Sequence, residues 1–263
     1  MARTTDFERL INEAEAQPFV GWDFSWLGKR IVTQPFPWDY DGLVAKRARE
    51  SPDLLDMDTG GGEWLARLPY RPNHTVATES YPPNVPVAVR RLRPLGVSVV
   101  RTEGAPDNNV QRVSETRGPL PFQTDSLHLV VNRHSSFVAT EVSRVLAENG
   151  RFITQQVGDQ RYADFHRLLK LPAPPLPLRW NLSAAKAQVK AAQLRVIGSG
   201  EAKRVISFSD VGAFAWYLKA IPWTVENFSV QAFRGKLEGL NSQIQRSGPA
   251  QVRQSGFWLE AAK

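Results

Sequence analysis

The segment Asp56-Met57-Asp58-Thr59-Gly60-Gly61-Gly62-Glu63 sets carboxylates beside three consecutive glycines. Glycines in a row let the backbone turn tightly and let a ligand approach the main chain closely. A helix starting at Gly62 would also offer its free N–H groups to that ligand. Glu79 follows 17 residues after Gly62. A carboxylate there, at the end of the next strand, accepts two hydrogen bonds from a vicinal ribose diol. Loop, helix start and spaced acid together point to a ligand that contains a nucleoside. Two common nucleotide patterns are excluded. The dinucleotide fingerprint needs a small residue at position 65, which is Leu65, and no Gly-Lys-Ser/Thr of a P-loop occurs.

Composition removes other chemistries. The 263 residues include no cysteine. That rules out disulfides, thiolate metal sites, iron–sulfur clusters and thiol nucleophiles, and it fits a reducing compartment. His74, His128, His134 and His166 stand at no metal-binding spacing such as H-E-x-x-H, so no metal is expected.

These groups need a scaffold, and the chain from Asp53 onward reads as one. Leu54–Met57, His74–Thr78, Val97–Val100, Leu127–Val131 and Phe152–Val157 are short apolar runs with strand character. Val85, Ala88, Leu92 and Leu95 recur at helical spacing between two of them. Val138, Val142, Val145 and Leu146 do the same, running to a stop at Asn149-Gly150. Strands alternating with helices predict a doubly wound, mostly parallel α/β sheet. Beyond it, Ala184–Ala192, Val211–Ala220 and Val225–Leu240 are predicted helices. Leu194–Ile197 and Arg204–Phe208 are predicted strands, and Gly256–Ala262 an antiparallel closing strand. Leu171–Leu178 holds four prolines in eight residues and reads as an extended connector.

The lead-in, residues 1–50, is set apart from a main unit of residues 51–263. It carries a predicted helix over Asp6–Ala16, an aromatic stretch through Trp22, Phe24 and Trp26, and a short basic helix over Gly42–Arg49. Trp22, Phe24, Trp26 and Trp38, and Trp223 between two late helices, have two readings: packing as core, the commoner fate of aromatic runs, or a lid over a substrate pocket.

Over residues 53–157 the chain resembles the class I S-adenosylmethionine-dependent methyltransferases. Asp56, Gly60 and Gly62 match acidic-x-Gly-x-Gly-x-Gly after strand one, and Glu79 matches the ribose-binding acid after strand two. Gly118-Pro119-Leu120-Pro121-Phe122, then Ser126-Leu127-His128-Leu129-Val130, is similar to the family's "LPF…SFDLV" approach to strand four. Glu141-Val142-Ser143-Arg144-Val145-Leu146, with Asn149-Gly150-Arg151-Phe152, is similar to its "E-x-x-R-V-L-x-P-G-G-x-F" passage. The resemblance implies a Rossmann-like methyltransferase fold with seven strands and an N-terminal helical and aromatic appendage. It also implies S-adenosylmethionine as cofactor, held by Asp56, Asp58, Thr59, Gly60, Gly61, Gly62, Glu79, Ser80 and Asn132. Three positions depart from the pattern: Asp58 replaces the motif's first glycine, His128 an Asp, and Asn149 a Pro.

Methyl transfer from a sulfonium is an in-line displacement, so holding the reactants in line supplies much of the effect. A base is needed only where the acceptor must lose a proton. The family's methyl site lies near the end of strand four, here Asn132-Arg133-His134. His134 is the candidate base. Arg133, Gln155, Trp22, Trp26 and Trp223 are candidate acceptor contacts. The absence of cysteine excludes the covalent thiol route to pyrimidine C5, and the Asn-Pro-Pro-aromatic signature is absent. A small-molecule acceptor is expected. The alternatives are an RNA base methyltransferase and a degenerate fold serving as a non-catalytic binding module, the latter motivated by Asp58.

The charge motivates the RNA alternative. Of the net +7, residues 1–60 carry −4 and the remainder +11, an asymmetry that can mark a polyanion-binding face. The longest largely apolar run is Val211–Leu218, and Met1–Leu10 has acidic residues where a signal peptide needs a basic head. A cytoplasmic protein without a membrane partner is expected. The sequence does not specify an oligomeric state.

Overall fold

The computed structural model describes residues 6–108, 118–158, 162–173 and 180–263. Successive side chains of a strand point to opposite faces, and the apolar runs at the centre use both. Leu54 of one strand and Leu129 and Val131 of its neighbour pack on one side; Leu55 and Val130 pack on the other. A strand buried on both faces must be covered by helices twice.

The strands are β1 (Ile31–Thr33), β2 (Asp53–Met57), β3 (His74–Glu79), β4 (Ser98–Arg101), β5 (Leu127–Arg133), β6 (Leu146–Val157), β7 (Arg195–Phe208) and β8 (Ala250–Ala262). They form one sheet in the order β1-β7-β8-β6-β5-β2-β3-β4. From β4 to β6 the pairs are parallel; β8 runs antiparallel to β6 and β7, and β1 antiparallel to β7. The doubly wound class is as expected, but the described sheet has eight strands, not seven. The extra one comes from the lead-in, where Ile31 pairs with Phe208.

The helices are α1 (Asp6–Ala16), α2 (Tyr40–Arg49), α3 (Glu63–Arg67), α4 (Val85–Leu92), α5 (Ala139–Val145), α6 (Ala163–Leu168), α7 (Leu182–Ala191), α8 (Val211–Ala220) and α9 (Arg234–Ser247). Apolar residues of α2, α3 and α4 cover one face of the parallel half, and those of α5 and α7 the other. A third cluster joins α1, α6, α8 and α9 over the antiparallel end of the sheet, with Trp216 fully buried in it. Phe7, Leu10, Ile11 and Ala14 of α1 are buried there. At roughly 1.5–3 kcal/mol for each large apolar side chain, α1 is a substantial part of that core.

Three expectations are revised. The helix at Val138 stops at Val145, because Leu146 is extended and Asn149 takes a left-handed φ of 64°. The two late strands are one, β7, with a register shift between Val196 and Gly198. Gly198 and Gly200 allow this: a Cβ at either would lie under 3.0 Å from the Trp258 ring of β8. The helix expected from Val225 begins only at Arg234, after Asn227 turns the chain at φ 55°. Of the proline-rich connector, residues 174–178 lie outside the described residues.

The chain builds outward from β2 through β3 to β4, then returns to β5 on the other side of β2. Ligands of open α/β sheets bind at such a switch point, outside the carboxyl ends of the strands. Here those ends deliver Asp56 with Asp58, and Arg133 with His134.

Candidate functional site

Asp58 is the first residue past β2 and adopts φ 52°. Aspartate tolerates this left-handed region better than most side chains, so it holds a backbone conformation that otherwise favours glycine. Its N–H donates to Thr78 Oγ1 at 3.1 Å, and the Thr59 N–H to the Thr78 carbonyl at 2.9 Å, which stitches the loop to β3. Gly62 turns the chain into α3 at φ 78°, and a Cβ there would strike Leu92 of α4 at 2.8 Å. Arg91 locks the turn from outside, donating to the Gly61 carbonyl and pairing with Glu63.

This loop walls a cavity of about 260 Å³. Asp56, Asp58 and Glu79 line it with Thr59, Gly60 and Ser80. Burial pushes the Asp56 and Glu79 carboxyls up to about 7 and raises Asp58 as well. Hydrogen bonds work against burial in each: Thr59 on Asp56, the Tyr81 N–H on Glu79 at 2.7 Å, and the Ser135 hydroxyl on Asp58 at 2.8 Å. Asp58 Oδ1 is buried without a well-aligned hydrogen bond among the described residues, with Ser80 beside it. No group of three His, Cys, Asp or Glu side chains there is placed to hold a metal ion.

The end of β5 supplies the opposite wall. His134 sits at φ 64°, its N–H bonded to the Gln155 carbonyl at 2.8 Å. Trp38 Nε1, which can only donate, meets Gln155 Oε1 at 2.8 Å, so the Gln155 amide nitrogen faces His134 Nε2, 3.4 Å away. The lone pair is then on Nε2 and the proton on Nδ1, a buried atom with no partner among the described residues. Burial first, then the charges of Arg133 and Arg204, hold the imidazole well below its ordinary pKa. His134 is a neutral ring presenting an N–H.

A second cavity, of about 470 Å³, lies on the other side of Arg133 and His134. The two cavities share Trp22, Glu63, Arg67, Arg133, His134 and Trp223. Trp22 and Trp223 stack at 6.2 Å with ring planes 3° apart, joining the lead-in to the segment after α8. Phe24, Tyr217, Arg204 and Gln254 line only the second cavity.

Compared by sequence, the chain matches no protein-family model and no curated protein. Compared by structure, it is similar to the YcgJ protein of Bacillus subtilis (TM-score 0.55, 18% identity, 85% of this chain and 97% of that one). It is similar also to a candidate methyltransferase of Bacillus halodurans C-125 (TM-score 0.56, 14% identity, 85% and 98%). A functionally unknown protein of Deinococcus radiodurans R1 aligns over 88% of this chain and 90% of its own (TM-score 0.53, 11% identity). The chain has the class I methyltransferase fold. At these identities the likeness is one of fold, and the site must be argued from its own residues.

Within the methyltransferase fold, Asp56, Asp58, Thr59, Gly60, Glu79 and Ser80 come together around the first cavity, as do Arg133, His134, Trp22 and Trp223. Gly61 and Gly62 shape the turn from behind it. Asn132 is placed differently from expectation: fully buried, it accepts from Thr154 Oγ1 and Gln156 Nε2 through Oδ1, and from the Tyr40 hydroxyl through its backbone carbonyl. Both of its carbonyl oxygens are engaged within the protein. Gln155 stands behind His134 rather than on a cavity wall. Trp26 packs 5.2 Å from Trp216, under the Arg30 guanidinium, and Trp38 stacks on Phe36 at 4.5 Å. Of the lead-in aromatics, only Trp22 and Phe24 reach a cavity. His128 pairs with Asp53 at 2.6 Å, away from the site.

Sequence reasoning missed Arg204, Tyr217 and Gln254. Their signal was slight: a basic residue against Val205 and Ile206 in an apolar strand, with no motif around it.

Proposed function

We propose that the chain is an S-adenosylmethionine-dependent methyltransferase acting on a small-molecule acceptor. One observation carries the reading: a carboxylate-lined cavity beside a glycine turn shares its wall, at Arg133 and His134, with a second cavity that aromatic and aliphatic side chains line in part. The first suits a ligand with cationic groups and a diol. Asp56, Asp58, Glu63 and Glu79 line it, and Asp58 Oδ1 is a buried acceptor without a well-aligned partner among the described residues. Glu79 would take the ribose diol and Asp58 the ammonium of the amino-acid part. Asp58 thereby serves the site while holding a backbone conformation that otherwise favours glycine, which removes one ground for a degenerate reading.

When bound, S-adenosylmethionine supplies an electrophilic methyl carbon on a sulfonium. The chain's own residues position and exclude. The Trp22–Trp223 pair covers the shared wall from the solvent side. His134, neutral and presenting Nδ1–H, orients an acceptor atom by donating a hydrogen bond; this geometry favours a positioning role over the expected base. Calorimetric titration with S-adenosylhomocysteine tests the reading. Heat of binding that Glu79→Ala abolishes is expected, and no heat at protein concentrations of about 100 μM would overturn it.

A further inference from the structure

Arg204 is held the way a receptor group is held. Half-buried in β7, its guanidinium lies 4.3 Å over the Phe36 ring, and its Nε donates to Gln254 Oε1 at 2.7 Å. Ring and amide fix the plane while using one of its donors. Among the described residues, neither Arg204 nor Arg133 makes an ion pair, and Arg133 Nε is buried without a partner. The carboxylates of the same cavity make their contacts elsewhere: Glu63 Oε1 pairs with Arg91, while its Oε2 is buried and unpartnered among the described residues, and Asp23 accepts the Ser25 N–H at 2.8 Å. Arg133 and Arg204, with the exposed Arg67, line one cavity; like charges there repel, and lost hydration adds to the cost for the two that are partly buried. An anion relieves both. Much of the remaining lining is apolar, with Ile31, Val157, Phe165, Ile206 and Ile221.

We propose that Arg204 anchors an anionic group, a carboxylate or a phosphate, on a small molecule whose apolar body fills the second cavity. The inference rests on the methyl-transfer reading only where it names that molecule the acceptor. Anchored at Arg204, the body reaches toward the wall that holds His134 and faces the first cavity. The aromatic rings of Phe24, Tyr217 and Trp223 favour a flat or apolar body over a sugar.

Calorimetry on the full chain with three probes tests this: 3-phenylpropionate, phenyl phosphate, and 3-phenylpropionamide, which keeps the shape without the charge. At least one anion is expected to bind about tenfold more tightly than the amide, and the better anion identifies the group. Arg204→Gln should erase that preference and leave S-adenosylhomocysteine affinity within about threefold. An amide that binds as well as both anions would overturn the proposal. So would no binding of any probe at about 10 mM, or a preference that survives Arg204→Gln. If the variant fails to fold, the anion–amide comparison on the native chain decides. Heat with S-adenosylhomocysteine but not with the anions removes this inference and leaves the methyl-transfer reading standing; the opposite pattern does the reverse.

Discussion

At the scale of single residues, two features of the site make opposite demands on pH. Burial raises Asp56 and Glu79 to about 7. A carboxyl whose folded pKa lies above its unfolded value contributes stability that is complete below the unfolded value, near 4, and lost as pH rises through about 7. The free protein should therefore lose stability from these groups between about pH 4 and 7, whereas facing a cation or accepting from a diol is strongest when they are ionised. The S-adenosylhomocysteine titration, repeated from pH 6 to 8, should show affinity rising by about tenfold, with ligand-induced stabilisation growing alongside it. A flat profile would mean that the ligand does not need Asp56 and Glu79 ionised. His134 contributes nothing to that slope, since its depressed pKa keeps it neutral throughout. Its role is tested by substitution. Asn tolerates the left-handed φ of 64° and places an amide N–H near the Nδ1 position. His134→Asn should keep activity within about threefold, and His134→Ala should lose about tenfold or more together with about 1 kcal/mol of stability. Equal activity in Ala and native protein would end the positioning role.

At the scale of elements, the lead-in is where structure changes expectation most. A detachable lid predicts that removing residues 1–45 spares cofactor binding. The structure predicts otherwise. Those residues supply β1, the buried faces of α1 and part of α2, and Arg30, whose bidentate pair with Asp210 at 2.6 and 2.8 Å holds the residue that caps α8. The truncated chain should show no cooperative thermal transition and no S-adenosylhomocysteine heat; a folded, ligand-binding truncation would restore the lid. The parallel half of the fold was legible because each of its strands is a short apolar run beside a helical period. The first cavity was legible for the same reason, since Asp56, Asp58, Gly60 and Glu79 lie on two consecutive strand ends. The second was legible only in part. Phe24 and Arg133 stood out in the sequence, but Arg204, Tyr217 and Gln254 come from three further distant stretches that only the antiparallel end of the sheet brings to them, and no local spacing records that. Even Glu141 and Arg144, which carry part of the family resemblance, turn out to be staples: Glu141 accepts the Leu120 N–H at 2.9 Å, and Arg144 donates to the Leu120 and Phe122 carbonyls.

At the scale of the molecule, the question is whether the excess positive charge of the later residues forms one surface. Exposed Arg90, Arg93 and Arg101 lie on or beside α4 and β4, at one edge of the sheet, while exposed Arg195 and Lys203 lie on β7 near the other edge. Six strand spacings separate β4 from β7, which at about 4.8 Å each is roughly 29 Å. Arg91, between them in sequence, is taken up by Glu63 and the Gly61 carbonyl. Charge divided in this way does not frame the cavities: of the arginines that reach them, Arg133 and Arg204 are partly enclosed, and Arg67 alone is exposed, too few to track a phosphate backbone. A small acceptor therefore fits the electrostatics better than RNA. The two differ sharply in salt dependence. A protein that neutralises six to ten phosphates loses about 10³–10⁵ in affinity between 50 and 200 mM salt, whereas one anchored charge loses far less. Filter binding of bulk RNA should show no retention at about 100 mM salt, and binding of the anionic probes should weaken by less than about threefold across that range. Strong retention of RNA with a log–log salt slope near −6 would reverse the assignment and make the dispersed arginines a nucleic-acid footprint.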